Sequence, residues 1–483
     1  MRPDARTLRK TPFRLIASLA TALAAAIPIA CPAPARADTP DTPFIEDLEH
    51  RTFNWFWDSA NPETGLIPDR YPAPDSAASI ASVGFGLTAY GIGAERGYIT
   101  RQQAAARTLK TLRFLAHAPQ NANRDGAAGY HGFYYHFLNA RTGTRFAHWS
   151  ELSSVDTALL MSGVLFSQSY FNRNTPQEHE IRHLADTLYR RIDWPWMRAH
   201  GPWLSMGWTP AHQQYLASDW KGYNEGMIIY LLALGSPTHP LPAETWQSWT
   251  STYDSQWGTF QGHTLLNFAP LFGHQYSESW VDFRGIHDGW NRLHHVDYFE
   301  NGRQATYAQR AYAQANPGNW KDYGQNIWGL TACDGPGTSD TTINGQTRHF
   351  LAYSARGAGR DYVQDDGTIA PTAAGGSIAF APEIALPALQ AMRARYGDRI
   401  YTRYGFVDAF NPTFSRNGRY WADTQHLGID QGPILLMAEN WRSALVWNTM
   451  KRNPYLRSGL DHAGFQGGWL TTPSPETALE TTN

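Results

Sequence analysis

Cysteine is nearly absent from this chain, with two in 483 residues, Cys31 and Cys333. A basic surplus is absent too, since 40 Lys and Arg stand against 42 Asp and Glu. Without cross-links, a chain of this length must be held by a large hydrophobic core. Without cationic excess, it has no electrostatic case for binding nucleic acid or an anionic membrane. The apolar run at residues 15–30 spans 16 residues, too short for a membrane span. Strand signals are sparse. No Ser/Gly or Pro-rich linker divides the chain after residue 38, and no repeat at a period of about 20 to 50 residues is visible. There is no Gly-x-Ser-x-Gly elbow of a serine hydrolase. No His-x-x-x-His pair with a third ligand appears either, although His287-Asp288 and His294-His295 are present, so neither a metal nor a cofactor is expected.

Residues 1–37 read as a secretory signal. Arg2, Arg6, Arg9, Lys10 and Arg14 precede the apolar run, and Ala35-Arg36-Ala37 offers small residues for cleavage before Asp38. The segment Pro28-Ile29-Ala30-Cys31 lacks the aliphatic residue that a lipidation site carries three positions before its cysteine. Cleavage removes six basic residues and one acid, leaves Cys333 as the sole cysteine, and makes the remainder more acidic. An exported, disulfide-free, acidic chain is expected in a Gram-negative periplasm, as a monomer with residues 38–483 forming one domain.

What the chain does have is aromatic residues: 19 Trp, 24 Tyr and 22 Phe. Many must fill the core, but aromatic faces also cover the C–H faces of sugar rings. Helical periodicity recurs at 43–59, 79–93, 100–117, 154–170, 178–191, 222–234, 242–253, 304–316, 382–396 and 431–451. Thr100 and Ser154 are placed as N-caps. Long Gly-, Asn- and Trp-rich loops lie at 121–150, 202–221, 271–300 and 335–367, and loops of that length are commonly functional. The pattern predicts an all-α fold: one α/α toroid of concentric helical hairpins, its long loops gathered around a cleft at one end.

Three acidic sites suit glycosidic bond hydrolysis, which needs an acid for the leaving oxygen and a carboxylate for water or direct attack. Glu225, in Tyr223-Asn224-Glu225-Gly226-Met227 before an apolar helix, has apolar and aromatic flanks that would keep it protonated. Asp430, in Gly428-Ile429-Asp430-Gln431-Gly432-Pro433, stands at a helix mouth that favours its ionised form. Asp156 opens another apolar helix, with Glu151 just before it. Each of the three also fits an ordinary helix-start acid. Cys333 reads as a small buried residue rather than a nucleophile.

Several stretches together resemble a known family. They are Asp366-Gly367-Thr368-Ile369-Ala370-Pro371-Thr372-Ala373-Ala374, Tyr404-Gly405-Phe406-Val407-Asp408-Ala409-Phe410-Asn411, the Asp430 motif, Ser154-Val155-Asp156-Thr157-Ala158-Leu159-Leu160, and the Glu225 motif leading to Gly235-Ser236-Pro237-Thr238-His239-Pro240. The likeness, from about residue 43 to about 457, is to the glucoamylase-like domain of bacterial β-1,2-glucan enzymes and nearest to glycoside hydrolase family 144, the endo-β-1,2-glucanases. It implies an (α/α)6 toroid and inverting hydrolysis of β-1,2-glucan to sophoro-oligosaccharides, without a metal in the chemistry. Glu225 becomes the implied general acid, Asp430 the general base, and Asp156 a cleft residue with Glu151 beside it. A kinked 2-linked chain calls for aromatic walls on several sides. Trp149, Trp208, Trp220, Tyr223, Trp328 and Trp441 are the expected walls, with polar contacts from His131, Tyr134, Lys221, Arg284 and Gln431. An exo-acting, sophorose-releasing enzyme and a periplasmic glucan-binding or transglycosylating protein are the alternatives.

Overall fold

The computed structural model describes residues 42–73, 75 and 77–472, so the expected signal segment lies outside the described residues. Helices dominate, and they fall into two kinds. The Ile80–Glu95, Ser154–Tyr170 and Met227–Leu234 helices are apolar on nearly every face and buried along most of their length, so they pack inside. Arg101–His117 and Pro176–Arg190 bury one stripe and turn charged residues outward. The outer pair packs on the inner helices, and Gly428–Ser443 packs against Ile80–Glu95. Two inner helices touch backbone to backbone. A Cβ on Gly84 would lie 2.2 Å from the Leu159 carbonyl oxygen, and one on Gly163 would lie 2.0 Å from the Gly84 oxygen. Only glycine fits at that crossing.

Thr100 caps its helix as expected, in a reciprocal capping box with Gln103. The helix at Ser154 is capped by Ser153, one residue earlier than the sequence suggested. Ser154 instead donates its hydroxyl to the Ser205 carbonyl and accepts from Trp220 Nε1 at 2.9 Å. The segment expected as one helix over 431–451 is two, Gly428–Ser443 and Leu445–Met450, divided at Ala444 with φ 57°. A polar stretch assigned to a loop forms the buried Phe272–Trp280 helix.

The long loops carry short antiparallel strands. Five of these make one sheet, ordered Gly129–Tyr130, Phe133–Tyr135, Leu152–Ser153, Gly207–Thr209, Gln214–Tyr215. Strand pairs also hold Ala78–Ser79 to Phe137–Leu138 and Arg70–Tyr71 to His426–Leu427. Each pairing delivers the chain into the start of an inner helix, at Ile80, Ser154 and Gly428. The loops are thereby tied down at the N-terminal ends of the inner helices, where the cleft lies.

Candidate active site

A cleft of about 400 Å³ opens at that end, lined by Asp69, Arg70, Ser79, His136, Phe137, Val155, Asp156, Leu159, Glu225, Phe272, Tyr276, Ala332, Tyr353, Leu427 and Ile429. The lining comes from the starts of five helices, beginning at Ile80, Ser154, Met227, Phe272 and Gly428. Five positive dipole ends therefore converge on it. A larger groove of about 590 Å³ lies on the outer Arg101–His117 helix, but its one acid, Glu63, is set among Lys110, Arg113 and His117, so it offers no pair of carboxylates.

Glu225 sits in the turn before Met227. Gln256 fixes that turn by accepting the Tyr223 N–H at 2.8 Å and donating to the Tyr223 carbonyl at 3.1 Å. Asn224 Oδ1 accepts the Gly226 N–H at 2.8 Å. Glu225 Oε2 is buried with no hydrogen-bond partner. Burial pushes its carboxyl up to about 7, with Asp156 adding to the rise and a backbone N–H opposing it. At that value a large share of the molecules carry the proton near neutral pH, as an ordinary glutamate would not.

Asp156 accepts from Ser153 Oγ at 2.5 Å and lies 3.5 Å from His136 Nε2, while His136 Nδ1 is 2.9 Å from Glu151 Oε1. Burial alone would lower His136, but Asp156, Glu151 and Asp69 outweigh it and raise the imidazole to about 9. It is therefore a cation clamped between two carboxylates.

Asp430 does not line the cleft. It sits just behind the lining, 2% exposed, in the first turn of its helix. Burial raises it to about 7; a hydrogen bond with Asp408 pulls down, Asp334 and Asp69 push up, and Arg70 pulls down. Arg70 donates to Asp334 Oδ2 at 2.7 Å and Asp69 Oδ2 at 3.2 Å. Tyr276 ties the two halves together. Its phenol is raised by burial and then by Asp430, Glu225 and Asp156, so one ring lies within electrostatic reach of all three acids. Tyr353, half exposed, lines the mouth of the cleft.

Ligating atoms of His136, Glu151 and Asp156 lie within 4.8 Å of one another, as do those of Asp334, Asp408 and Asp423. In the first group, His136 already supplies the positive charge. In the second, Arg70 holds Asp334, and backbone N–H groups hold Asp408 and Asp423. Neither group is assigned as a metal centre.

Several expected sugar contacts are not brought to the cleft. Trp328 and Tyr134 are fully buried, Tyr134 donating to the Leu115 carbonyl, so both are core residues. Trp208, Trp220 and Tyr223 are also buried. Tyr223 bonds His274 Nδ1 at 3.0 Å, and thus supports the Glu225 turn rather than a sugar. Trp441 lies eleven residues beyond Asp430 on the same helix, ~16 Å away at ~1.5 Å per residue. Gln431 is pinned to the Phe406 carbonyl, Arg284 to Asp282, and His131 to Asp193 with Trp196 stacked on its ring. Lys221 is exposed, over the Trp203 ring. Trp149 differs: it is 67% exposed and meets Phe137 edge to face at 5.4 Å, and Phe137 lines the cleft and stacks on His136. Asp69, Arg70, His136, Phe137, Tyr276 and Tyr353 were not singled out from sequence, because no local pattern marks them.

The chain is similar over most of its length to known proteins. Residues 217–454 match the family described as "Putative glucoamylase". A crystal structure from Bacteroides uniformis with the same description is 33% identical, with a TM-score of 0.78, covering 90% of this chain and 100% of that one. An endo-β-1,2-glucanase from Chitinophaga pinensis, solved with sophorotriose and glucose, is 31% identical, with a TM-score of 0.77, over 90% of this chain and 100% of that one. An exo-β-1,2-glucooligosaccharide sophorohydrolase of Parabacteroides distasonis is 29% identical over 449 residues, 87% of this chain. The chain spans 57% of that relative's length.

Proposed function

Because the chain belongs to the glucoamylase-like β-1,2-glucanases of glycoside hydrolase family 144, we propose that it hydrolyses β-1,2-glucan, with Glu225 as general acid and Asp430 as general base. One observation carries the assignment of roles. Glu225, raised to about 7 by burial, lines the cleft with no donor on its buried oxygen, while Asp430 stands behind the same cleft beside Arg70 and a hydrogen-bonding carboxyl. Protonated Glu225 gives its proton to the glycosidic oxygen as the bond to the anomeric carbon breaks. Asp430, behind the lining, receives through an intervening water or substrate hydroxyl the proton lost by the water that attacks the opposite face, so configuration inverts. Asp156 and Glu151, held around His136, bind sugar hydroxyls, and Trp149 with Phe137 offers a ring face at the mouth.

The proposed architecture is an (α/α)6 toroid, supported by the division into inner and outer helices and by helix starts converging on one cleft. Endo action is the first reading, supported by the Chitinophaga relative and by an exposed aromatic at an open mouth. Exo release of sophorose is the second, supported by the Parabacteroides relative. The exported state and periplasmic location are proposed from the sequence, and cell fractionation tests them. A panel of β-1,2-, β-1,3-, β-1,4- and α-linked glucans tests the substrate. Early product lengths separate endo from exo, and NMR of the first anomer formed tests inversion. Activity on every linkage except β-1,2 would end the proposal.

A further inference from the structure

Asp408 exchanges no proton in the hydrolysis described above, yet it is 1% exposed and its carboxyl acts on the base. Its Oδ2 accepts the Asp334 N–H at 2.7 Å, and its own N–H donates to the Gln425 carbonyl at 3.0 Å. Its Oδ1 is buried without any N–H or hydroxyl donor, and so is Oδ2 of Asp430. The two carboxyl groups are within hydrogen-bonding reach of each other. Two buried carboxylates in contact, each with a donorless oxygen, cannot both be ionised; one proton must lie between them.

We propose that Asp408 and Asp430 form a one-proton dyad in which Asp408 is a positioning residue: its carboxyl keeps the proton and donates it as a hydrogen bond to Asp430, which stays the anion that accepts the proton lost by the attacking water. This rests on the glycosidase reading and deepens it. The proton sits on Asp408 for two reasons. Asp430 stands in the first turn of a helix, where the dipole favours an anion, and Arg70 acts on it. Asp408 has one N–H donor and is pressed by the carboxylates of Asp430, Asp334 and Asp423. The remaining titratable groups around the pair are Asp69, Cys333, Tyr276 and Tyr353, none of which supplies a positive charge. In the reaction, the attacking water loses its proton, which reaches Asp430 through an intervening water or substrate hydroxyl, as its oxygen bonds the anomeric carbon; Glu225 protonates the departing oxygen, and the Asp408 proton is neither gained nor lost.

The test compares Asp408→Asn with Asp408→Leu. An asparagine can accept the Asp334 N–H through its carbonyl and donate to Asp430 through its amide, so it keeps both contacts without a titratable proton. Asp408→Asn is expected to keep kcat within roughly 10-fold of wild type, with the acid limb of the pH profile in place. Asp408→Leu leaves Asp430 buried without a donor, so kcat should fall roughly 100-fold, with the acid limb moved to higher pH and KM unchanged. Should the leucine variant fail to fold, infrared difference spectroscopy on the asparagine variant decides instead. One protonated-carboxyl C=O band of the wild type should be lost near neutral pH, while that of Glu225 remains. Equal damage in both variants with no shift of the acid limb, or a wild-type-minus-variant spectrum that contains no protonated-carboxyl C=O band, overturns the dyad. The infrared reading needs no substrate. Failure of the glycosidase reading would show separately, as a wild-type enzyme inert on β-1,2-glucan.

Discussion

Replacing Glu225 with glutamine should abolish activity and, at neutral and higher pH, make the protein more stable. In the folded protein burial holds this carboxyl at about 7 against an ordinary value of 4.5. A folded-state value above the unfolded one means that the native state binds its proton more tightly. Stability from this group is therefore fully present below about 4.5, drains away as pH rises towards about 7, and is then constant. The gap corresponds to ~3 kcal/mol. Glu225 is partly open to the cleft, so solvent screening reduces that to ~1–2 kcal/mol. Glutamine carries the same shape and no charge, so it escapes the penalty. Urea denaturation of wild type and Glu225→Gln should coincide near pH 4.5 and diverge by ~1–2 kcal/mol at pH 8, the variant being the more stable. Turnover of linear β-1,2-glucan should fall by roughly 10²–10⁴. A stability difference that does not change with pH would refute the claim that burial keeps Glu225 neutral. Wild-type turnover in the variant would refute its role as the acid.

Asp430→Asn should leave the thermal unfolding transition cooperative while removing nearly all turnover, checked by calorimetry and reducing-sugar release; a variant with wild-type kcat would remove Asp430 from the reaction. Trp149→Ala, at a side chain 67% exposed, should change stability by less than ~0.5 kcal/mol but raise KM for long chains about 5-fold, consistent with loss of ~1 kcal/mol of ring stacking. An unchanged KM for polymer would place the chain elsewhere. Arg356→Ala should destabilise the fold by ~3–5 kcal/mol, because the fully buried guanidinium holds Asp366 at 2.7 and 2.8 Å and the carbonyls of Cys333, Leu351 and Ala352. Guanidinium denaturation measures that loss.

Much of the helical scaffold was legible because its signals are local. The capping box at Thr100 and the unbroken apolar faces of Ile80–Glu95 and Met227–Leu234 need no tertiary context to be read. The Phe272–Trp280 helix was missed for the opposite reason. Its buried polar groups are satisfied only in the fold, His274 by Tyr223 and the Phe268 carbonyl, Gln275 by Ala373 and Ser377. Glu225, Asp156 and Asp430 announce themselves by standing at the mouths of apolar helices. Asp69, Arg70 and His136 do not, since the pairings that bring them to the cleft are long-range, Tyr71 with His426 for example. Among the tryptophans sequence could not separate wall from core, and most proved to be core: Trp208, Trp220 and Trp328 are buried, and Trp149 stands out at the mouth.

Glu225 and Asp430 both stand at about 7, and for both the first cause is burial. The roles must then be separated by their neighbours. The charge acting on Glu225 is Asp156, which is negative, and its buried oxygen has no donor to stabilise an anion. Asp430 has Arg70 and the carboxyl of Asp408. A sugar chain filling the cleft expels water, and each electrostatic contact strengthens as the local dielectric falls. For Glu225 this deepens the preference for the protonated form, since desolvation and the repulsion from Asp156 both grow and only one backbone N–H opposes them. For Asp430 the same change strengthens the hydrogen bond from Asp408, the largest influence after burial, and the attraction of Arg70, which together work against the repulsion from Asp334 and Asp69 to hold it ionised. Substrate binding thus drives apart two acids that start level, one towards donating a proton and the other towards taking one.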